Sequence, residues 1–326
     1  MRRVRRILVA VKDPWAKSLP AVRKAAQIAH ATGAELALFH SIADAVYIDA
    51  LGSATQNVAA FESASRDRYV ERLEAIAAPL RRHGLEVRTA AEWDYPIYES
   101  VVRHAQTTKA DLIVVERHAT RHVAPWLLRF TDWELLRLSP VPVLLVKSPR
   151  AYRRPVILAA VDPSHAFAKP SGLDDQILRS AQTLGRALRG KLHAVHAYVS
   201  MPFGFMGAGP DAASAVERFE KHARAQARAR LERALRDSKI ASAHRHVVAR
   251  HPIAAIEQVA RSTGSAIVVM GALSRSGLKR AFIGNTAERI LDQLACDVLV
   301  VKSPGFASQV QRTGRGPRLV AAPQVL

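Results

Sequence analysis

The sequence predicts an α/β protein made of two tandem, open, doubly wound, parallel five-stranded sheets of the Rossmann-like type. Three observations support this fold class: short apolar runs recur along the chain, helical segments separate them, and the whole order of signals occurs twice. Runs that are apolar on successive residues are typical of strands buried on both faces of a parallel sheet. Strands that alternate with helices indicate right-handed βαβ units.

The predicted strands follow one another in the same order in each half. They lie near residues 6–13, 34–41, 85–91, 111–116 and 142–147, and near 155–162, 191–198, 243–249, 265–270 and 297–302. Between the second and third strands of each half, apolar residues recur at steps of three or four, which predicts a helix. These residues are Tyr69, Leu73, Ile76 and Leu80, and then Phe219, Ala223, Ala227, Leu231 and Leu235.

The two halves open and close on matching residues. Each first strand ends in Asp-Pro, at Asp13 and at Asp162, and each last strand runs into Lys-Ser-Pro, at 147–149 and 302–304. A repeat of this length predicts a duplicated domain rather than a solenoid unit. We expect domains at 1–149 and 150–304, followed by a disordered tail at 305–326, where glycine and proline interrupt any periodicity.

Composition excludes several classes of protein. Of 326 residues, 49% are apolar and 23% are charged, which suits a globular protein with a sizeable core. The single cysteine, Cys296, excludes an intramolecular disulfide framework. Apolar runs fall well short of the ~20 residues of a membrane helix. The basic start of the chain precedes only a short apolar stretch, which we interpret as a first strand of a cytoplasmic protein without a membrane partner.

The chain is strongly basic. Lysine and arginine number 48 against 28 acidic residues, and residues 151–326 alone carry 26 basic and 12 acidic residues. A field of this sign attracts phosphates, nucleotides and nucleic acids. The segment 216–239 contains Arg224, Arg228, Arg230 and Arg233. Two interpretations of it stay open: a face that binds an RNA or DNA backbone, and a solvated helix face whose charges pair at i,i+4 spacing.

The second half carries the candidate binding site. In a doubly wound sheet, ligands bind at the carboxyl ends of the strands near the topological switch point. Asp162 ends the first strand of this half, and a loop with three glycines follows its fourth strand. Asn285 and Glu288 form a variant of the capping box, and a helix N-terminus attracts anions. The residues expected to bind a nucleotide are Asp162, Gly271, Ser274, Arg275, Ser276, Gly284, Asn285 and Thr286. The alternative is a glycine-rich loop that only turns the chain.

The spacing of this loop resembles that of a known family. Gly271 is followed by two residues, Ser274, nine residues, Gly284 and Asn285. Nucleotide-binding members of the universal stress protein family carry Gly, two residues, Gly, nine residues, Gly and then Ser or Thr. Asp162 matches the acidic residue that contacts the nucleoside in that family. The runs 284–288 and 130–136 resemble the tandem, two-domain subfamily of universal stress protein E, and the resemblance covers nearly all of residues 4–304.

The resemblance implies a stress-response protein that senses ATP or AMP in its second half, with Mg²⁺ as an accompanying ion left open. It also implies a protein partner of unknown identity, and either a monomer with pseudo-dimeric halves or a homodimer. The alternative is a basic scaffold for RNA, DNA or a protein, with both nucleotide pockets vestigial. An enzyme is not expected, since no Walker-type Gly-Lys-Ser/Thr occurs and no catalytic base can be assigned.

The first half lacks the glycines of this loop. Simple alignment sets Arg117 opposite Gly271 and Phe130 opposite Gly284, and 116–130 contains no glycine. We therefore expect no triphosphate binding there in the family's manner. Asp13 is either a counterpart of Asp162 or a turn former, and Thr131-x-x-Glu134 predicts a capped helix start. Trp126, Phe130 and Trp133 are either core residues or the lining of an apolar pocket.

No metal site is predicted. His244 and His246 lie two apart on a predicted strand and share one face. A structural zinc site needs four ligands, and no cluster of cysteine or histidine in the sequence completes this pair.

Overall fold

A computed structural model describes residues 3–48, 55–117, 125–164, 172–198, 212–272 and 293–321. The chain divides into two compact units. One contains Arg3–Ala151 together with the C-terminal segment from Phe306, and the other contains Tyr152–Gly305.

The first unit contains a parallel sheet of five strands. They are β1 (Arg6–Ala10), β2 (Glu35–Ile42), β4 (Val87–Trp93), β5 (Leu112–Glu116) and β6 (Val143–Val146), with the short β3 (Ala45–Ile48) outside this sheet. The helices are α1 (Pro20–Thr32), α2 (Thr55–Arg82), α3 (Ile97–Thr107) and α4 (Pro125–Leu138). The strand order β4-β2-β1-β5-β6 puts the switch point between β1 and β5.

The second unit repeats this arrangement. Its strands are β7 (Val156–Ala160), β8 (Lys191–Tyr198), β9 (Arg245–Ala249), β10 (Ile267–Gly271) and β11 (Asp297–Val301). Its described helices are α5 (Leu173–Ala187), α6 (Ala212–Ala234) and α7 (Pro252–Ser262). The strand order β11-β10-β7-β8-β9 puts the switch point between β7 and β10. The tandem doubly wound fold predicted from the sequence is confirmed.

The core of each unit lies on both faces of its sheet. Leu8 and Val9 of β1 and Leu158 and Ala159 of β7 are fully buried, although they point to alternate faces. This double burial explains why the strands are apolar on successive residues. No helix in the described ranges is long and apolar enough to cross a membrane.

Backbone hydrogen bonds correct the alignment of the two halves at their first strands. The Val11 N–H donates to the Phe39 carbonyl at 2.8 Å, and the Val161 N–H donates to the Val195 carbonyl at 3.0 Å. These equivalent bonds make Lys12, rather than Asp13, the counterpart of Asp162. The alignment by Asp-Pro is therefore wrong by one residue, because the first-half dipeptide lies one position farther along the chain.

The fourth strands need the same correction. The Arg117 N–H donates to the Val146 carbonyl at 2.8 Å, and the Ala272 N–H donates to the Val301 carbonyl at 2.9 Å. Arg117 is therefore the counterpart of Ala272. The position of Gly271 is taken in the first unit by Glu116.

The C-terminal segment 306–321 packs on the first unit, which differs from the disordered tail expected from its composition. Strand β12 (Arg318–Ala321) pairs in parallel with β3. The Ser308 hydroxyl donates to the carbonyl of Leu138, the last residue of α4, at 3.0 Å. Polar groups of the segment thus form hydrogen bonds with the first unit. The glycine and proline content of the segment does not predict these contacts.

A buried ion pair fixes this segment. Asp94 follows β4, Arg103 lies on α3, and their side chains are only 7% and 8% exposed. The Arg103 Nε and Nη2 groups donate to Asp94 Oδ2 at 2.9 and 2.8 Å, and Nη1 donates to the Gln311 carbonyl at 2.6 Å. The Arg315 N–H donates to Asp94 Oδ1 at 2.9 Å. The pair therefore joins β4, α3 and the C-terminal segment.

Replacing Asp94 by alanine tests this arrangement. Asp94→Ala removes the nearer of the two carboxylates at the buried Arg103 guanidinium and leaves only Glu99, 3.8 Å from Nη1, so we expect a loss of about 3 kcal/mol of stability in the first unit. Hydrogen exchange in urea measures this loss, and limited proteolysis reports release of 306–321. The control is Arg315→Ala, which removes the half-exposed pair with Glu99 but keeps the backbone bond to Asp94, and should cost under about 1 kcal/mol. Unchanged protease resistance in Asp94→Ala contradicts the assignment.

Candidate functional site

The carboxyl edge of the second sheet is organised around Asp162. Its N–H donates to Asp174 Oδ1 at 3.1 Å, and Asp174 lies in the first turn of α5. The Ser164 hydroxyl donates to Asp162 Oδ1 at 2.6 Å. Gly271 ends β10, which pairs directly with β7. The structure thus brings Asp162 and Gly271 to one edge of the sheet, as the strand assignment predicts.

Gly271 has a packing role at this edge. A Cβ atom there would lie 2.6 Å from Cδ2 of Leu173, the first residue of α5. Leu173 is buried, so it has little room to move aside. The absence of a side chain at 271 lets α5 lie directly against β10. A leucine side chain therefore takes the space beside this glycine.

The other predicted contacts lie outside the described residues. They are Ser274, Arg275, Ser276, Gly284, Asn285 and Thr286. Their part in binding stays a prediction from the spacing of the loop.

A cleft of about 580 Å³ opens beside Asp162, within the size range of small-molecule sites. It is lined by Pro163, Ser164, Gly172, Leu173, Asp174, Asp175, Arg230, Arg233 and Ala234. Its acidic lining residues belong to α5 and its basic ones to α6. Such a cleft offers acceptors for hydroxyl groups and positive charge for an anion.

Sequence reasoning treated Arg230 and Arg233 only as part of a basic helix face. Neither forms an ion pair within the part of the chain that the structure describes, and the Arg233 Nε donates only weakly, at 3.4 Å, to the Ala229 carbonyl. The position of these two arginines could have been predicted from the order of the strands. Two successive right-handed crossovers in one direction put α5 and α6 on the same face of the sheet.

His196 on β8 lies beside this cleft. It is 1% exposed, and its Nδ1 is 3.9 Å from Asp162 Oδ1. No side chain among the described residues forms a hydrogen bond with either ring nitrogen. Burial lowers the pKa of His196, while Asp162, the Val161 carbonyl and Asp174 act to raise it and Arg230 to lower it. A buried imidazole therefore adjoins the strand end.

The same edge of the first unit has different charges. Lys12, the counterpart of Asp162, forms an ion pair with Asp132 of α4. The Glu116 carboxylate lies 3.5 Å from the Ala21 N–H in the first turn of α1. Asp13 accepts the Trp15 N–H at 2.9 Å and so shapes a turn, one of the two roles left open for it.

Aromatic side chains occupy the strand end of the first unit. The His40 ring stacks on Tyr69 with centroids 4.4 Å apart, and its Nδ1 lies 2.7 Å from the Val11 carbonyl. Trp15 meets the edge of Tyr69 at 4.9 Å, and the Tyr69 hydroxyl lies 3.4 Å from Asp44 Oδ2. The sequence gives no signal for this cluster, because its members come from separate elements.

The expected capped start of α4 is wrong. The helix begins at Pro125, so Phe130 and Thr131 lie within it, and the backbone amides near Thr131 are used inside the helix. The lack of glycine before Phe130 lets the helix start early. Trp133 is half-buried, whereas the side chains of Trp126 and Phe130 lie outside what the structure describes.

The sequence profile of the universal stress protein family matches residues 3–147 and 155–302. The chain belongs to the universal stress protein family. It is 25% identical over 306 residues to universal stress protein E of Photorhabdus laumondii, which covers 93% of this chain and 97% of that relative. Universal stress protein E of Escherichia coli K12 is also 25% identical, over 93% of this chain and 96% of its own length.

A solved structure shows the same fold. The putative universal stress protein of Pseudomonas aeruginosa UCBPP-PA14 matches with a TM-score of 0.68 and 25% identity, over 93% of this chain and 94% of that one. Two family matches and full-length relatives make this a tandem protein of the universal stress protein E type.

A histidine cluster lies away from the cleft, at β8 and β9. The His193 and His244 rings stack at 4.1 Å, and His193 Nδ1 is 3.0 Å from His246 Nε2. His244 belongs to a 3₁₀ turn at Ser242–His244 rather than to β9, which corrects its expected place on the strand. No group of three potential ligands in the described residues converges on a metal position. Burial, the two neighbouring histidines and Lys191 lower the pKa of His193 to about 4.

The low pKa of His193 predicts acid sensitivity of the second unit. The unfolded chain takes up a proton at this residue near pH 6.5 and the folded unit only near pH 4, so stability falls as the pH drops between these values. Hydrogen exchange of β8 and β9 between pH 7 and 4 measures the slope. His193→Gln should reduce it, and the exposed control His251→Gln should leave it intact. An equal slope in wild type and His193→Gln contradicts this account.

Proposed function

We propose that this protein is a non-enzymatic stress-response sensor that binds an adenine nucleotide, ATP or AMP, at the carboxyl edge of its second unit. The observation that carries the proposal is the cleft beside Asp162, lined by Arg230 and Arg233. Pro163 and Ser164, which line it, follow β7 at the carboxyl edge of the sheet, the edge at which a doubly wound sheet binds ligands. The first unit, in contrast, has Lys12 in place of Asp162, and aromatic rings at its strand end.

Each part of the nucleotide has a partner in this proposal. Carboxylates of Asp162 and Asp174 accept ribose hydroxyl groups, and the arginines of α6 supply positive charge. The loop that resembles the family motif holds the phosphates through Ser274, Gly284, Asn285 and Thr286, and Mg²⁺ enters, if at all, with the phosphates. The output is a changed surface for a protein partner in the cytoplasm. The chain acts as a monomer with pseudo-dimeric halves or as a homodimer.

One observation favours a second function. Arg224 and Arg228 of α6 are exposed, and neither forms an ion pair among the described residues. Glu232 of α6 forms its ion pair with Arg245, which lies outside the helix. Among the described residues, Arg224 and Arg228 therefore lack the i,i+4 ion pairs that would neutralise them. A basic face of this kind suits the phosphates of RNA or DNA.

Nucleotide binding is tested by calorimetry with ATP, ADP and AMP. Wild type should bind at least one of them below millimolar concentration. Asp162→Ala should weaken binding because a carboxylate contact is lost, and Gly284→Trp should abolish it by filling the phosphate loop. The matched control is Asp13→Ala, which removes the other Asp-Pro aspartate but only disturbs a turn, and should bind as wild type does. Absence of binding by wild type at millimolar nucleotide contradicts the proposal.

The basic face is tested by titration with RNA at several salt concentrations. Phosphate contacts release counterions, so log affinity should fall linearly with log salt. Arg224→Gln with Arg228→Gln should make this slope shallower by roughly one to two units. A flat slope for wild type excludes the second function and leaves nucleotide binding unaffected.

A further inference from the structure

The acidic residues that line the cleft beside Asp162 already have partners within the second unit. Asp174 Oδ1 accepts the N–H of Asp162 at 3.1 Å. Asp175 Oδ2 lies 3.9 Å from Nη2 of Arg179, which follows one turn later on α5. The negative charge on the α5 side of the cleft is therefore partly offset without any ligand.

The basic residues of the cleft have no such partners. Arg230 and Arg233 lie three positions apart, so their side chains share one face of α6. Both are exposed, and within the described ranges neither forms an ion pair. Burial and, to a smaller extent, the charge of Arg230 lower the pKa of His196, which lies beside Asp162, so the Arg230 guanidinium is close to the strand end. Two guanidinium groups one turn apart, without a counter-charge, form a position for an anion.

This arginine pair is specific to the second unit. Helices α2 and α6 both contain the sequence Arg-Leu-Glu with a fully buried leucine at its centre, at 72–74 and 230–232, which makes them equivalent. The first arginine of this sequence in α2, Arg72, donates through Nε to the Pro14 carbonyl at 2.9 Å. The place of the second cleft arginine is taken in α2 by Ala75. The first unit therefore binds one arginine to its own backbone and lacks the other.

The two cleft arginines approach Asp162 from the side of β8, away from the loop that resembles the family motif. The strand order puts β10 on one side of β7, and β8 and β9 on the other. The loop follows β10, whereas α5 joins β7 to β8 and α6 joins β8 to β9. Gly271, where the loop begins, is not among the described residues that line the cleft. A ribose at Asp162 therefore lies between the loop expected to hold its 5′-phosphates and a second position for an anion.

We propose that the nucleotide of the second unit carries a further phosphate on its ribose, at the 2′ or the 3′ position, and that Arg230 and Arg233 bind this phosphate. This inference rests on the proposed nucleotide binding and adds to it the class of nucleotide. One ribose hydroxyl stays unmodified and donates to the Asp162 carboxylate, while its neighbour carries the phosphate. Guanidinium groups suit this task because each can donate two parallel hydrogen bonds to phosphate oxygens. A nucleotide phosphorylated only at its 5′ position leaves these two arginines without an anion.

Calorimetry with AMP, adenosine 3′,5′-bisphosphate and adenosine 2′,5′-bisphosphate is the direct test. One bisphosphate should bind wild type at least about 10-fold more tightly than AMP, and its identity tells which hydroxyl carries the phosphate. Arg230→Gln with Arg233→Gln should bring the ratio of the two affinities back towards one. The matched control is Arg218→Gln with Arg236→Gln, which removes the same charge at exposed positions outside the cleft lining and should keep the wild-type ratio. Circular dichroism and the thermal midpoint check that both double variants fold.

Phosphorus nuclear magnetic resonance gives a second readout for the same ligands. The resonance of the ribose 2′- or 3′-phosphate should shift when the bisphosphate binds wild type, and should shift less with the Arg230→Gln, Arg233→Gln variant. If wild type binds neither AMP nor a bisphosphate, the proposed function fails and this inference with it. If wild type binds AMP but binds neither bisphosphate more tightly, only the inference is overturned. The same holds if the gain in affinity survives in the Arg230→Gln, Arg233→Gln variant.

Discussion

The hydrogen bond that leaves the end of each first strand sets the geometry of the whole site. In each unit the N–H just beyond the first strand binds the carbonyl that precedes a buried histidine. This bond fixes which residue comes next at the carboxyl edge of the sheet, Lys12 in one unit and Asp162 in the other. A slip of one residue would turn these side chains to the opposite face. The charge at the end of each first strand therefore depends on backbone register.

Much of the fold could be predicted because its strands are buried on both sides. Such strands leave uninterrupted apolar runs in the sequence, and all ten strands of the two sheets lie where those runs indicate. The register of the first strands in the two halves could not be predicted from these apolar runs. The two halves share the dipeptide Asp-Pro after the first strand. A proline can follow a strand at more than one distance, so identical dipeptides need not occupy equivalent positions. Only the hydrogen-bond ladder distinguishes Asp13, which forms a turn, from Asp162, which lies at the cleft.

Less of the candidate site was visible in the sequence. Asp162 was identified because it ends a predicted strand, and the glycine at 271 because the loop spacing resembles a family motif. The arginines of α6 and the ring of Tyr69 reach the strand ends from a helix distant in sequence, and their side-chain directions follow from packing alone. The contact between Arg103 and Gln311 joins residues 208 positions apart, so no local sequence pattern predicts it. The same reason explains why composition alone misjudged the tail.

The position of segment 306–321 has a consequence for how the chain is made. Domains emerging from the ribosome generally fold from the N-terminus onward. Here the first unit receives a strand, a helix-end contact and a carbonyl for its buried arginine from residues that are translated after the whole second unit. During synthesis, β3 of the first unit therefore stays unpaired until β12 has been translated. An unpaired strand edge is prone to pair with other chains. The first unit is thus synthesised first, but it is completed only after segment 306–321 has been translated.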